Sequence, residues 1–251
     1  MRSAELMKIA LKAGEIMLRS GAEIYRVEET IVRICESYRV RCESFVLPTS
    51  IFISLVDDEG GRNTAFMRIR DRKVDLSGID RVNSLSRRIR KSCPDFDTVR
   101  KELEQIENAE KHSFPVRLSA TGLGSFAFTL LFQGSIYDSL VALVIGCVSY
   151  SAREVLTGKS LFSFLENLLA GLVTGLLSTA AVGLFPVLDG YKIIVGSIIM
   201  YLPGVSITNS IKDALYGDLV ASMARLGEAI LLVTVLSAGV GIALLISAYR
   251  R

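Results

Sequence analysis

The chain has 251 residues, a formal net charge of +3 and a mean hydropathy of +0.42. Such a small net charge argues against nucleic-acid binding as the main task. The charge is also unevenly distributed, since 40 of the first 115 residues are Asp, Glu, Lys or Arg, against 15 of the remaining 136. This contrast argues against a disordered chain and a simple soluble enzyme. It predicts a water-facing domain at 1–115 and a membrane domain at 116–251.

Cysteine and histidine usage gives no sign of a metal site. The four cysteines form no CxxC pair, and His112 is the only histidine. Because a structural zinc site needs about four clustered ligands, we expect no metal. The N-terminus lacks an uninterrupted apolar core and is not a cleavable signal, so the first domain should stay in the compartment where it is made. No GxSxG or phosphate-binding loop is present, so we expect neither an enzyme nor a bound cofactor.

The first 115 residues read as a small α+β domain. Apolar residues at helical spacing predict helices over 3–19 and 24–38, joined at Ser20-Gly21. Alternating apolar residues then predict strands at 45–47 and 51–55, a turn at 57–61 and a returning arm at 63–70. Two further helices are predicted at 77–92 and 95–111. On the second helix, Glu23, Glu28 and Glu29 with Arg26 could form a polar site, although such charges more often form simple i,i+3 or i,i+4 surface pairs.

The second half predicts about five membrane-spanning helices. Hydrophobic segments of suitable length cover about 117–134, 136–156, 161–185, 190–211 and 226–248. The distribution of Lys and Arg predicts that the first domain lies in the cytosol. These residues are frequent before the first span, and they occur between the second and third spans (Arg153, Lys159) and between the fourth and fifth (Lys212, Arg225). The arginines at 250–251 conflict with the external C-terminus that five spans would give. The expected fold is therefore an α-helical polytopic membrane protein with a soluble, N-terminal cytosolic α+β domain.

The third span carries a small residue at every fourth position. Gly171, Gly175, Thr179 and Gly183 form one narrow face along the helix. Such a face allows the backbone of a second helix to approach closely. We therefore expect this face to pack against another helix.

Polar residues in these spans are the candidates for function, because they are costly in lipid. Asp138, Glu166 and Glu228 lie near span ends, where exposure at the interface is the simpler explanation. Pro203-Gly204 predicts a helix break, and a helix that restarts near Ser206 would offer free N–H groups to a carboxylate. Downstream, one polar face carries Asn209, Lys212, Asp213 and Tyr216. An ordinary Pro-terminated span followed by a cytosolic linker explains the same pattern equally well.

At this stretch the chain resembles the ThrE family of threonine/serine exporters, and in particular its split, YjjP-like subunit. In the first half the resemblance rests on SGAEIYRVEETI (20–31), LPTSIFISL (47–55) and the VNSLSRRI run (82–89). In the second half it rests on LPGVSITNSIKDALYGDLVASMARLGEA (202–229). It covers nearly the whole chain, and the second-half segment is the most specific part.

The resemblance implies one subunit of a secondary exporter in the inner (plasma) membrane. A YjjB-like small membrane subunit would supply the rest of the carrier, so we expect an oligomer. The exported metabolite would be a small carboxylate, either threonine/serine or a dicarboxylate such as succinate, with protons as the driving ion. On this reading the break at Pro203 and Gly204, with Ser206, Thr208 and Asn209, contacts the substrate. Asp213 is the first candidate for proton coupling, followed by Asp138, Glu166 and Glu228.

Two other classes of function remain open at this point. One is a membrane-anchored hydrolase with its active site in 1–115, against which the absence of a nucleophile–base signature argues. The other is a regulatory scaffold whose first domain binds a partner.

Overall fold

The computed structural model describes residues 2–56, 61–109, 112–157 and 163–249. The predicted turn at 57–61 therefore lies outside the described residues except for Gly61, as do Lys159 and the arginines at 250–251. The helices and strands, in chain order, are α1 (Arg2–Arg19), α2 (Ile24–Ser37), β1 (Arg41–Leu47), β2 (Ser50–Val56), β3 (Arg62–Arg68), α3 (Leu76–Ser92), α4 (Phe96–Glu107), α5 (Phe114–Leu131), α6 (Ile136–Thr157), α7 (Ser163–Leu184), α8 (Gly190–Ile198), a 3₁₀ turn (Ile199–Tyr201), α9 (Gly204–Leu215) and α10 (Leu219–Tyr249).

The chain forms two compact units, and their boundaries differ from the predicted ones. The first unit contains residues 1–110 together with 204–227, and the second contains 111–203 and 228–251. The first boundary falls within a few residues of the predicted one at 115. The segment 204–227 was expected in the membrane domain, but it belongs to the first unit, because its polar face hydrogen-bonds to α2 and to the joint before it.

The first unit is a small α+β fold in which the predicted helices and strands are present. Its antiparallel sheet has the order β1-β2-β3, and Phe52 pairs with Phe45 on one side and Phe66 on the other. These three rings lie on the exposed face of the sheet, whereas Ile51 and Ile53 point into the core. Alternation along β2 explains this division, because successive side chains of a strand point to opposite faces.

Helix ends in the first unit follow local chemistry. Asp75 caps α3 by accepting a hydrogen bond from the Gly78 N–H, and Asp95 caps α4 in the same way through Thr98 N–H. Buried apolar side chains of all four helices and of β2 form one core. Ala221, near the beginning of α10, is buried in that same core, so the segment 204–227 packs against the helices and strands of residues 1–110.

The second unit is helical, and five membrane spans are not confirmed. Among the described residues three helices are long and apolar enough to cross a membrane: 136–155, 164–184 and 219–249. The count rises to four if α8 and α9 are taken as one broken span. The predicted first span is present as α5, but it fails this test because Arg117 and several Ser, Thr and Gly residues interrupt its apolar sequence. The helix of the predicted fifth span, α10, starts at Leu219, seven residues before the predicted start of that span at 226.

The small-residue face on α7 packs against α10 over half of its length. A Cβ on Gly171 would lie closer than 3.0 Å to the Leu236 carbonyl oxygen, and one on Gly175 would lie 2.5 Å from the Ala243 Cβ. The helix crossing therefore requires glycine at both positions. Gly183 has no atom within 4 Å of such a Cβ, so the predicted packing does not extend to that position.

Candidate functional site

The predicted break in the fourth hydrophobic segment is present. The 3₁₀ turn ends at Tyr201, and α9 begins at Gly204, directly after Pro203. Proline lacks the N–H that would continue the helical ladder, so the chain restarts as a new helix. The new helix starts two residues before the predicted Ser206, which is half-buried.

The polar face of α9 lies against the joint between α1 and α2. This joint turns at Gly21, whose φ of +84° favours glycine. The Asn209 side-chain amide donates to the Gly21 carbonyl at 2.8 Å, and the Lys212 ammonium contacts the Glu23 carboxylate at 2.8 Å. The ring of Tyr216 stacks on Tyr25 with centroids 3.8 Å apart. The face that carries the predicted substrate residue Asn209 and the predicted coupling residue Asp213 therefore lies against residues 21–25.

Asp213 is the most buried residue of this polar face. Its side chain is fully buried, and one carboxylate oxygen accepts the Ile24 N–H at 3.0 Å. The other oxygen lies 3.3 Å from the Arg225 Nε, and Arg225 also donates to the Ala22 carbonyl at 2.6 Å. A buried carboxylate needs such partners, because an uncompensated buried charge is very costly.

A cavity of about 630 Å³ opens beside this contact, within the first unit. Three of the predicted substrate residues line it: Gly204, Thr208 and Asn209. Its acidic and basic lining includes Glu23, Arg26, Asp80 and Lys212. The cavity therefore offers a hydroxyl and an amide to a small polar ligand.

Glu23 organises the charges of this cavity. It is 4% exposed, and both Arg26 and Lys212 pair with its carboxylate, Arg26 at 3.2 Å. Burial disfavours its charged form, but the hydrogen bond from Lys212 and the charge of Arg26 outweigh burial and hold the pKa of Glu23 below its usual value. The expected i,i+3 pair with Arg26 is present, but Glu23 is buried and also pairs with Lys212, 189 positions away, so of the two sequence-based alternatives the structure favours the polar site.

The three weaker coupling candidates have different environments in the structure. Asp138 caps α6, accepting from the Ser135 N–H and hydroxyl at 2.8 Å and from the Asp189 N–H at 2.8 Å. Glu166 is 6% exposed, and its carboxylate lies 3.5 Å from the Arg153 Nε. Glu228 is exposed. Asp138 therefore has a structural role at the start of α6, whereas Glu166 is a buried carboxylate paired with the half-buried Arg153.

No pattern in the sequence singles out Arg225, Arg153 or Tyr201. Arg225 and Arg153 contributed only to the predicted orientation of the spans in the membrane, and Tyr201 was an ordinary residue of a predicted span. Their partners come from other helices, so no spacing along the chain could identify them. Within the described ranges no group of three or more His, Cys, Asp or Glu side chains is arranged to hold a metal ion.

Comparison with known proteins places the chain in one family. The model of the ThrE family, described as "Putative threonine/serine exporter", matches residues 8–247. The chain is 23% identical to a "Probable threonine/serine exporter" of Mycobacterium tuberculosis over 98% of its own length and 46% of that protein. It is also 23% identical to a "Threonine/serine exporter" of Corynebacterium glutamicum, over 97% of its length and 52% of that protein. The chain thus spans about half the length of these curated relatives, and no solved structure matches it significantly. Because the family model covers nearly all of its residues, the chain belongs to the ThrE family of threonine/serine exporters.

Proposed function

We propose that the chain is one subunit of a secondary-active exporter for small carboxylate-bearing metabolites. The observation that carries this proposal is the family match over residues 8–247, combined with apolar helices long enough to cross a membrane. Both curated relatives are named threonine/serine exporters. Threonine or serine is therefore the first substrate to test, and a dicarboxylate such as succinate is the second.

A second membrane subunit, YjjB-like, completes the carrier in this proposal. This part of the proposal rests on the resemblance of 202–229 to the split, YjjP-like subunit of the family. We propose that the first unit lies in the cytosol and that the assembly sits in the plasma membrane. The Lys and Arg distribution around the apolar segments supports this orientation.

Substrate contact is proposed at the start of α9. Pro203 opens the helix there, and Gly204, Ser206, Thr208 and Asn209 bring a helix N-terminus, two hydroxyls and an amide to that end of the segment. Helix N-termini attract anions because their N–H groups lack partners within the helix. The amide of Asn209 reaches the Gly21 carbonyl in this state, so substrate contact by Asn209 requires that hydrogen bond to open.

Proton coupling is proposed at Asp213. Its carboxylate accepts the Ile24 N–H and pairs with Arg225, so binding of a proton would keep an acceptor for Ile24 but remove the charge that holds Arg225, which would loosen the Arg225 end of the 204–227 segment. Movement of this segment would in turn change the cavity lined by Thr208 and Asn209. Among the other candidates, Glu166 and Glu228 keep a coupling role as proposals, and Asp138 does so only if its capping contacts open.

Proteoliposomes containing the chain and the second subunit test the proposal. We expect an imposed proton gradient to drive transport of L-[³H]threonine or [¹⁴C]succinate, and Asp213→Asn to abolish the gradient dependence while binding stays measurable. Thr208→Val should weaken binding itself. The control is Glu43→Gln. Glu43 is an exposed carboxylate on β1, far in sequence from Thr208 and Asp213. Gradient-driven transport by Asp213→Asn at the wild-type rate would refute the coupling role.

A further inference from the structure

We propose that Arg153 binds the carboxylate of the exported metabolite, with Glu166 as its counter-ion in the empty state and the Tyr201 hydroxyl as a second donor. This inference rests on the proposed function and adds, in the second unit, a further carboxylate-binding residue to the contacts proposed at α9. It concerns the second unit alone, where α6, α7 and the 3₁₀ turn each contribute one of these side chains.

The three side chains are brought together by elements far apart in sequence. The Arg153 Nε lies 3.5 Å from a Glu166 carboxylate oxygen, and the Arg153 guanidinium lies 5.6 Å from the centre of the Tyr201 ring. Glu166 is 6% exposed and Tyr201 is 7% exposed. An arginine held over an aromatic face and beside a carboxylate is positioned from two directions, which favours a fixed binding geometry.

The Arg153–Glu166 contact is longer than a direct hydrogen bond. Charge-assisted hydrogen bonds between N–H⁺ and a carboxylate are about 2.7–2.9 Å long, whereas the Arg153 Nε and the Glu166 carboxylate oxygen lie 3.5 Å apart. A substrate carboxylate that binds the planar guanidinium through two hydrogen bonds would form a closer pair, beside the other contacts that Arg153 makes.

The buried hydroxyl of Tyr201 is the second observation that points to a ligand. It makes no hydrogen bond within the part of the chain that the structure describes. A buried tyrosine hydroxyl normally has a partner, and leaving it without one costs free energy. A carboxylate bound at Arg153 would supply the missing acceptor. Tyr201 also ends the 3₁₀ turn directly before the Pro203 break, so its position depends on that break.

Two other charged groups of the second unit differ from the Arg153–Glu166 contact in their distances and partners. Arg117 and Glu154 form a tight pair at 2.8 Å, and their side chains are 41% and 38% exposed, as is usual for a surface pair. Asp138 accepts hydrogen bonds from the Ser135 N–H at the start of its own helix and from the Asp189 N–H before α8. Arg117 therefore serves as the matched control, because it also carries a guanidinium near a carboxylate and near the ring of Tyr150.

The experiment is a scintillation proximity binding assay on the purified wild-type complex with L-[³H]threonine and [¹⁴C]succinate. We expect Arg153→Gln to weaken binding about tenfold or more, as expected for loss of a hydrogen bond to a charged group. Arg153→Lys should weaken it less, Tyr201→Phe should weaken it several-fold, and Arg117→Gln should leave it unchanged. L-Threoninamide, which lacks the carboxylate, should compete poorly with L-threonine.

The outcomes separate this inference from the proposed function. Wild-type affinity in Arg153→Gln, or equal competition by L-threoninamide, overturns the carboxylate site while the exporter stands. If Arg153→Gln fails to fold, wild-type affinity in both Arg153→Lys and Tyr201→Phe overturns it. If the wild-type complex neither binds nor transports either metabolite, the proposed function fails and the inference fails with it.

Discussion

Alanine at Gly171 should destabilise the second unit, although alanine normally stabilises a helix. In a helix interior, replacing glycine with alanine gains about 0.5–1 kcal/mol from reduced backbone entropy and better propensity. At Gly171 the added Cβ would lie closer than 3.0 Å to the Leu236 carbonyl oxygen and 3.2 Å from the Val240 nitrogen. Both neighbours are backbone atoms of α10, so they cannot turn aside as a flexible side chain would.

The cost of this clash should exceed the gain in propensity. Overpacking costs about 1–3 kcal/mol, and contact with a rigid backbone belongs at the upper end. A net loss of about 2 kcal/mol corresponds to a decrease in Tm of roughly 4–8 °C for a protein of this size. Gly183→Ala is the matched control, since it lies on the same helix with no atom within 4 Å of the added Cβ. That variant should be neutral or slightly stabilised.

Circular dichroism at 222 nm in detergent measures both variants, which suits a helical chain that contains no tryptophan. Gly239→Ala provides an internal check, because its Cβ would meet the Leu168 carbonyl oxygen from the opposite side of the same crossing. The Gly171/Gly239 double variant should lose less than the sum of the two single losses, since the first substitution already separates the helices. Equal Tm values for Gly171→Ala and Gly183→Ala would show that α7 and α10 do not pack in this way.

Three further predictions concern the first unit. Asp213→Ala should remove the hydrogen-exchange protection of the Ile24 N–H, measured by mass spectrometry of the peptide around it, and unchanged protection would contradict the contact. Because the pKa of Glu23 is lowered in the folded state, its contact with Lys212 should stabilise the 204–227 segment above about pH 4.5 and be lost as the pH falls through the folded pKa. Hydrogen-exchange protection of 204–215 should decrease over the same pH range, and the Glu23→Gln variant should not show this decrease. The exposed thiol of Cys93 should react with an impermeant maleimide only after the cells are permeabilised, and labelling in intact cells would reverse the proposed orientation.

Local patterns predicted the elements of the first unit well. The helical spacing before Ser20-Gly21 and the alternation in 51–55 both depend on neighbours within a few residues. The break at Pro203-Gly204 was predictable for the same reason, since proline acts on its own turn of helix.

The partners of 204–227 were not predictable, because they depend on contacts across nearly the whole chain. Its apolar residues predict a helix with a buried face, but hydropathy does not identify the residues against which that face packs. Here Ala221 is buried in the core of the first unit. The same limit hid Arg153, whose loose pairing with Glu166 appears only when α6 and α7 are placed together.

The regular spacing of Asn209, Lys212, Asp213 and Tyr216 has a structural explanation that bears on every functional test of this face. These residues contact consecutive parts of the 21–25 joint through an amide, an ammonium, a carboxylate and a ring. Loss of export in an Asp213 variant could therefore reflect loss of the contact rather than loss of a coupling proton. Asp213→Asn separates the two, because the asparagine side chain keeps an acceptor oxygen for the Ile24 N–H but removes the charge facing Arg225. If Asp213→Asn retains protection at Ile24 and still loses gradient-driven export, Asp213 acts in coupling; if both are lost together, the face serves to hold the segment in place.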